Sequence, residues 1–481
     1  MFLSIILLIL MWLLLTQLST VHDIFWENLI KNLIKLWASD FKGMDSGTGE
    51  YELEKPVWAA IGEATASSGE FIPSCYGACM PNVADEGVYL MAEMISFWSI
   101  YIGPALPQCK FHNCCYYDHF ICLIRLLNIC PQFEITHEEI TELNKGFKSW
   151  VQDYEQMYYQ HDHERLSLCP LTIHAILHTA PGIKDCSPVW CNWAFPMERY
   201  CGIIGPAIRS WQFPFASLAW HVLEQARLAH IKVFYNVVTE LSLVTPHLGT
   251  ICGSYENPAY PTCRLLLPKS PDRPPINTLS LLIGALVTRF DDPTTYGTHV
   301  SPGVVKRCLA NADLQEWGKV QWIDTDEGDT MRPSEVGKVR DDSRGASYVR
   351  YEMYVDIHAR QCNIAPKFQL ETFYGQLQPI YVVHFGTPCS ELNLHESSTT
   401  IIMAQIWSCR LNEDESIPGL DIHFYSGEGN TDVIDLTSVQ CVVGRASCGQ
   451  NCWAIIDCSG SLAWAISQVH DEEDNSINEE D

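Results

Sequence analysis

The hydrophobic pattern of this chain changes period once, and that change limits the architectures open to it. From Ile24 to Trp37, apolar residues Ile24, Phe25, Leu29, Leu33, Ile34 and Trp37 recur at helical spacing, with Glu27, Lys31 and Lys35 opposite. From Tyr348 to Ile357 the pattern alternates: Val349, Tyr351, Met353, Val355 and Ile357 face one way, Arg350, Glu352 and Asp356 the other. A helical first part and a stranded last part predict an α+β multidomain chain.

The helical part spans 22–245. Pro56 sits where a first helical turn tolerates proline. Met91–Tyr101 reads as a buried helix ended by Gly103-Pro104, and Tyr116–Cys130 as another. Thr136-His137-Glu138-Glu139 is a capping box opening a helix to about Tyr159, with Ile140, Leu143, Phe147, Val151 and Tyr154 on its apolar stripe. Leu171–Leu177 gives a short helix. Six prolines fall between Pro258 and Pro275. That density argues against a continuous helix or central strand and predicts a Pro-rich connector over 246–345, with a short helix near Leu309–Trp317. Strand-length runs then recur at Tyr348–Ile357, Phe368–Tyr374, Ile380–Phe385, Thr400–Cys409, Leu420–Tyr425, Val433–Val443 and Trp453–Asp457. They predict a small antiparallel barrel or sandwich over 346–466, followed by an acidic disordered tail at 467–481.

Charge and cysteine content narrow the function classes. With 30 Lys and Arg against 58 Asp and Glu in 481 residues, the net charge is −28. Removing the seven carboxylates of Asp471–Asp481 still leaves about −21, so a basic nucleic-acid-coating protein is excluded. The 21 cysteines are odd in number and irregular in spacing, which reads as free thiols in a reducing compartment. The opposing signal is the N-terminal segment 1–21: Phe2–Leu15 is apolar apart from Ser4, shorter than a membrane span and without the basic residues of a signal peptide. Extended through residues 2–18 it offers an alternative membrane-anchored or secreted interaction protein; a third reading makes it foreign to the rest of the chain.

Few residues carry chemistry by pattern. Cys169, His174 and His178 have a C-x4-H-x3-H spacing that can hold zinc, although no fourth ligand is evident and a partly buried helix whose imidazoles bond to neighbouring backbone is the favoured explanation. Cys75/Cys79 and Cys448/Cys452 are separated C-x3-C pairs. In Pro188–Gly202, two Trp, a Phe and a Tyr surround the acid–base pair Glu198-Arg199. A carboxylate there must find a partner or a metal, although Pro196 also places Glu198 in a first helical turn, where its charge is favourable without function.

The block Trp190-Cys191-Asn192-Trp193-Ala194-Phe195-Pro196-Met197-Glu198-Arg199-Tyr200-Cys201-Gly202 resembles the C-terminal half of CACTA (En/Spm-type) DNA transposases of fungal type. Other blocks agree in order: Trp26–Leu33, Phe41-Lys42-Gly43-Met44-Asp45, Tyr116-Tyr117-Asp118-His119-Phe120, Cys169–His174, Phe373–Leu377 and Trp453–Asp457. The resemblance implies a ribonuclease-H-like catalytic domain in which three acids hold two divalent ions for phosphoryl transfer. A helical segment interrupts that domain, and residues 24–190 resemble it. Glu198 then becomes the catalytic, metal-holding third carboxylate, with Arg199 a phosphate contact or ion-pair partner. The family's second acid lies in an acid-x-x-His motif before the Trp-Glu-Asn block, where this chain reads Thr20-Val21-His22-Asp23, with Thr20 at the acid position and Asp23 at the His position. A rival alignment makes Asp23 a metal ligand, but one acid cannot replace two. The first acid is expected upstream of Met1. The expectation is therefore a truncated transposon-derived protein without strand-transfer activity, using Mg²⁺ or Mn²⁺ only if its site is complete. The implied partner is transposon DNA, though not for this acidic chain alone. The implied location is nuclear or cytoplasmic, with a membrane as the alternative.

Overall fold

A computed structural model describes residues 28–458, apart from 46–47, 77–78, 86, 89, 190–203, 209, 211, 238–240, 242–250, 271–273, 292–299, 324–329, 335, 337–343, 360–363, 393, 395–397, 413–415, 418 and 450. The hydrophobic segment 1–21 and the tail 467–481 lie outside the described residues. The fold is α+β, helices preceding a large antiparallel sheet. Described helices in the first half are α1 (Lys31–Trp37), α2 (Lys55–Ser68), α3 (Ala92–Phe97), α4 (Cys115–Ile129), α5 (His137–Tyr154), α6 (Leu171–Ala175), α7 (Thr179–Cys186) and α8 (Pro214–Phe234). The sheet half contains β1 (Tyr255–Asn257), β2 (Tyr260–Ser270), α9 (Ile276–Phe290), α10 (Pro302–Ala310), β3 (Asp313–Trp322), β4 (Thr330–Met331), β5 (Tyr348–Asp356), β6 (Phe368–Phe385), β7 (Thr399–Leu411), β8 (Ile422–Asp435), β9 (Val439–Val442), β10 (Gly444–Gly449) and β11 (Cys452–Ile456).

Two compact units result, and neither is continuous in sequence. The first comprises 1–54, 91–99 and 111–249; the second comprises 55–90, 100–110 and 250–481. The predicted boundaries at 22–245 and 346–466 therefore give way to discontinuous ones.

In the helical unit, the capping box at Thr136 forms as read. The Glu139 backbone N–H donates to the Thr136 hydroxyl at 3.2 Å, and the Thr136 N–H donates to the Glu139 carboxylate at 2.7 Å. Helix α5 buries Leu143, Phe147, Trp150, Val151 and Tyr154 on one face and meets α4. Gly146 permits the close approach, since a Cβ there would stand 2.4 Å from a Leu126 methyl. The expected extension to Tyr159 is present as a π-helical turn, Glu155–Tyr159. Helix α8 buries none of its side chains and exposes Phe215, Trp220, Val233 and Phe234.

In the sheet unit, the 246–345 connector is corrected. Its described part supplies four strands and two helices, and β1, β2 and β3 pair in sequence before β3 joins β6. The prolines are accommodated because each described one avoids the ladder positions that need an N–H. Pro258 lies between β1 and β2, Pro261 at the start of β2, Pro268 at the bulge between Leu266 and Lys269, and Pro275 caps α9. The helix expected near Leu309–Trp317 ends instead at Ala310, and Asp313–Trp322 is strand. The runs Phe368–Tyr374 and Ile380–Phe385 are one strand, β6, with a bulge against β7 between Leu377 and Ile380.

All pairings are antiparallel. β5–β6–β7–β8–β11–β10 pair successively, and β9, which leads directly into β10, returns to β5 through Val349↔Val442. The chain running from β9 into β10 thus links the β5 side of this large antiparallel sheet to its β11 side. β6 serves two neighbours on one edge: β5 along its first half, β3 along its second. Its second half is apolar without alternation because both faces are buried. Ile380 and Val382 point into one cluster with Trp317, Val349, Tyr351 and Ile402, whereas Tyr381, Val383 and Phe385 pack with Leu282, Leu286, Val305 and Leu309 of α9 and α10. The Tyr260 hydroxyl donates to Asp435 at 3.0 Å and accepts from the Ile402 N–H at 3.0 Å, while Arg289 of α9 pairs with the same carboxylate.

Candidate functional site

Within the helical unit, polar chemistry gathers where the segment after α1 meets the residues after α5. Asp45 has a left-handed backbone, φ 55°, which turns its side chain inward. One carboxylate oxygen accepts from Arg165 Nη1 at 2.8 Å, and the other accepts from the Tyr51 hydroxyl. Arg165 Nε also donates to the Tyr158 carbonyl at 2.8 Å. The pair is well covered, its side chains 11% and 20% exposed, so the guanidinium holds Asp45 below the usual carboxylate range against the cost of burial. Burial, with the adjacent carboxylate, raises the Tyr51 hydroxyl. Both oxygens of Asp45 are engaged by donors from its own unit. This is the chemistry of a fastener joining residues 120 apart, not of a carboxylate free to hold a metal.

Tyr51, Tyr116, Tyr154 and Tyr158 wall this centre with ring centroids 4.8–6.1 Å apart. His119 stacks on Trp150 at 4.4 Å and 16°. The two exchange hydrogen bonds: the His119 Nε2–H donates to the Trp150 carbonyl at 3.1 Å, and the Trp150 indole N–H donates to the His119 carbonyl at 3.0 Å. Burial drives the imidazole down to about 4, so it is neutral near pH 7.

The residues singled out from sequence fall differently. Glu198, Arg199 and Thr20–Asp23 lie outside the described residues, as do residues 2–18. His174 and His178 do approach, Nε2 to Nε2 at 3.1 Å on exposed positions. Cys169 does not complete a site with them: among the described residues, no three of His, Cys, Asp and Glu gather into a group able to hold a metal ion. Burial raises the Cys169 thiol. No helix among the described residues is long and apolar enough to cross a membrane.

Within the sheet unit, two blocks distant in sequence meet. The Tyr374 hydroxyl of β6 donates to Asp457, just past β11, at 3.0 Å, and Arg350 of β5 lies 3.5 Å from the same oxygen. Arg445 of β10 is enclosed by rings, its guanidinium carbon 4.1 Å from the Trp453 centroid, 4.2 Å from Tyr348 and 4.9 Å from Phe71. Its Nη1 donates to the hydroxyls of Tyr348 and Tyr425 at 2.8 and 2.9 Å. These contacts tie together β5, β8, β10 and β11 of the sheet. An open pocket of about 380 Å³ lies beside α10, lined by Arg307, Cys308, Phe385, Cys389 and Glu391 among others.

Arg165, Arg350 and Arg445 were not singled out by motif. Their signal was scarcity: in a chain with so few bases, an arginine among aromatics and acids has a ready internal partner. Comparisons with family models, with curated proteins and with solved structures returned no match for this chain.

Proposed function

We propose that this chain is a transposon-derived protein that keeps the frame of a CACTA-type transposase as a scaffold or partner-binding protein, without strand-transfer activity. The observation that carries the reading is where the blocks of resemblance fall. Asp45 of the Phe41–Asp45 block is fastened by Arg165, and Tyr116, His119 and Phe120 of another are buried in the ring-rich core. Tyr374 and Asp457, from the two late blocks, hydrogen-bond to each other. Residues shared with a family at such positions preserve a fold, and the fold persists whether or not the reaction does.

The helical unit stands, in this reading, for the segment that interrupts a ribonuclease-H-like domain. A two-ion clamp needs several carboxylates, and Mg²⁺ demands near-octahedral oxygen coordination. The donor set does not fit such a clamp at the second acid's position, where Thr20, a neutral hydroxyl, stands and only a rival alignment offers Asp23. An acidic surface also repels a duplex at long range. Nuclear or cytoplasmic residence goes with this reading. The test incubates the full-length protein with duplex DNA carrying transposon terminal repeats and Mg²⁺ or Mn²⁺. Strand cleavage no greater than that of Glu198→Gln is expected; robust cleavage that disappears in Glu198→Gln would overturn the proposal.

A further inference from the structure

Helix α10 and the turn after β6 bring two cysteines together from 81 residues apart. Cys308 Sγ and Cys389 Sγ lie 2.7 Å from each other, both half-buried and unlinked. That approach is about 0.7 Å longer than the S–S bond of about 2.05 Å. Each backbone is already held. The Cys308 carbonyl accepts from the Asn311 N–H at 3.1 Å at the end of α10. Cys389 exchanges both backbone hydrogen bonds with Leu394, each 3.0 Å. The neighbouring side chains repeat the connection, Arg307 on the helix pairing with Glu391 on the turn at 2.9 Å. Beneath the pair, Val305 and Leu309 of α10 pack against Phe385 and Leu392. Both sulfurs also line the open pocket of about 380 Å³, ample for a small oxidant to reach them.

We propose that Cys308 and Cys389 form a reversible disulfide site, oxidised by a peroxide or a low-molecular-weight disulfide, that fastens α10 to the turn after β6. Closing the bond brings the two sulfurs about 0.7 Å nearer than their present 2.7 Å. With hydrogen peroxide, the Cys389 sulfur attacks one oxygen, the O–O bond breaks, the departing hydroxide takes the Cys389 thiol proton and leaves as water, and a sulfenic acid forms. The Cys308 sulfur then attacks the Cys389 sulfur. The S–O bond breaks, the Cys308 proton leaves with the oxygen as water, and the S–S bond forms. Two thiols and one peroxide thus give one disulfide and two waters, the sulfurs losing two electrons to the peroxide. With glutathione disulfide, the same two electrons leave in two glutathione thiols.

The reverse order, with Cys308 attacking the peroxide and Cys389 resolving it, has the same balance of atoms and electrons. Closing an 81-residue loop removes conformations from the unfolded chain, so the oxidised protein is the more stable form.

The full-length reduced protein is exposed separately to stoichiometric hydrogen peroxide and to a glutathione redox buffer, then alkylated and digested without reduction. Mass mapping is expected to find the Cys308 and Cys389 peptides joined, two hydrogens lighter than their sum, and separated again by dithiothreitol. The unfolding midpoint of the full chain is expected to rise by roughly 5 °C on oxidation and not to rise in Cys308→Ser or Cys389→Ser. Finding both cysteines alkylated after oxidant, capped by glutathione, or linked to other cysteines would overturn the proposal, and so would a joined pair that leaves the midpoint unmoved. The mapping is made on the unmutated protein, so a variant that fails to fold does not remove the test.

Discussion

The helical unit and the sheet unit bury their apolar surface by different means. Around α4 and α5 the largest enclosed side chains are rings: Trp37, Trp98, Trp150, Tyr51, Tyr154, Tyr158, Phe120 and Phe147. Around β6 and β7 the interior on one face of the paired strands is chiefly branched aliphatics, such as Ile380, Val382, Ile402 and Ile406. A ring core carries polar edges, and here Tyr154 donates to the Leu168 carbonyl and Trp150 to that of His119. A ladder core satisfies its polar groups along the strands, and its tolerance is set by how closely neighbouring backbones approach. One unit should therefore be vulnerable to lost rings and to acid, the other to added volume.

The largest expected effect comes from Trp150→Ala, which removes the ring stacked on His119. About 4 kcal/mol should be lost, and hydrogen exchange should accelerate across α4 and α5 more than across β6 and β7. Equal acceleration in both units would erase the distinction. The complementary change is Gly375→Ala in β6, where a Cβ would stand 2.4 Å from an Ile406 methyl and 2.6 Å from the Trp407 carbonyl oxygen. Because one neighbour is backbone and cannot swing aside, a cost of about 3 kcal/mol is expected, read from denaturant midpoints and localised by exchange to β5–β7.

Acid provides the next test. His119 is held down to about 4 when folded, against a reference of 6.5. Its unfolded form therefore takes up a proton first as pH falls, and stability should decline from about pH 6.5 towards 4, by about 2 kcal/mol at pH 5. Replacement by Gln should flatten that decline. Below this window Asp45, whose carboxyl is held low by Arg165, loses its contribution as pH falls through its folded pKa. In the sheet unit the sign is opposite at Asp432: burial raises its carboxyl, partly offset by the Tyr351 hydroxyl, so protonation at low pH relieves it. Chemical denaturation at pH 7 and 5, with exchange resolving the units, checks both directions. The smallest effect is Thr136→Ala, worth about 1 kcal/mol through loss of the capping box, visible as faster exchange confined to the first turn of α5.

Legibility from sequence tracked distance along the chain. Thr136-His137-Glu138-Glu139 was readable because its donors and acceptors lie three residues apart, and β5 because alternation is local. The 246–345 stretch was misread because a proline's compatibility with a strand depends on which edge is paired and where a bulge falls, and both are properties of β2's partners. The same holds for β6, which reads as two strands until β3, β5 and β7 are seen to share it. The Asp45–Arg165 and Tyr374–Asp457 contacts join residues 120 and 83 apart, beyond any local pattern.

The sequence by itself determined the helix opened by Thr136 and the alternating strand Tyr348–Asp356, because hydrophobic period and capping act within a turn or a few residues. It also determined the acidic surface, since net charge is additive and needs no geometry. The tertiary structure decided which strands adjoin, which carboxylates are neutralised, and that Cys308 and Cys389 face each other. Those outcomes depend on closing long loops, and only the packed chain specifies which distant residues meet.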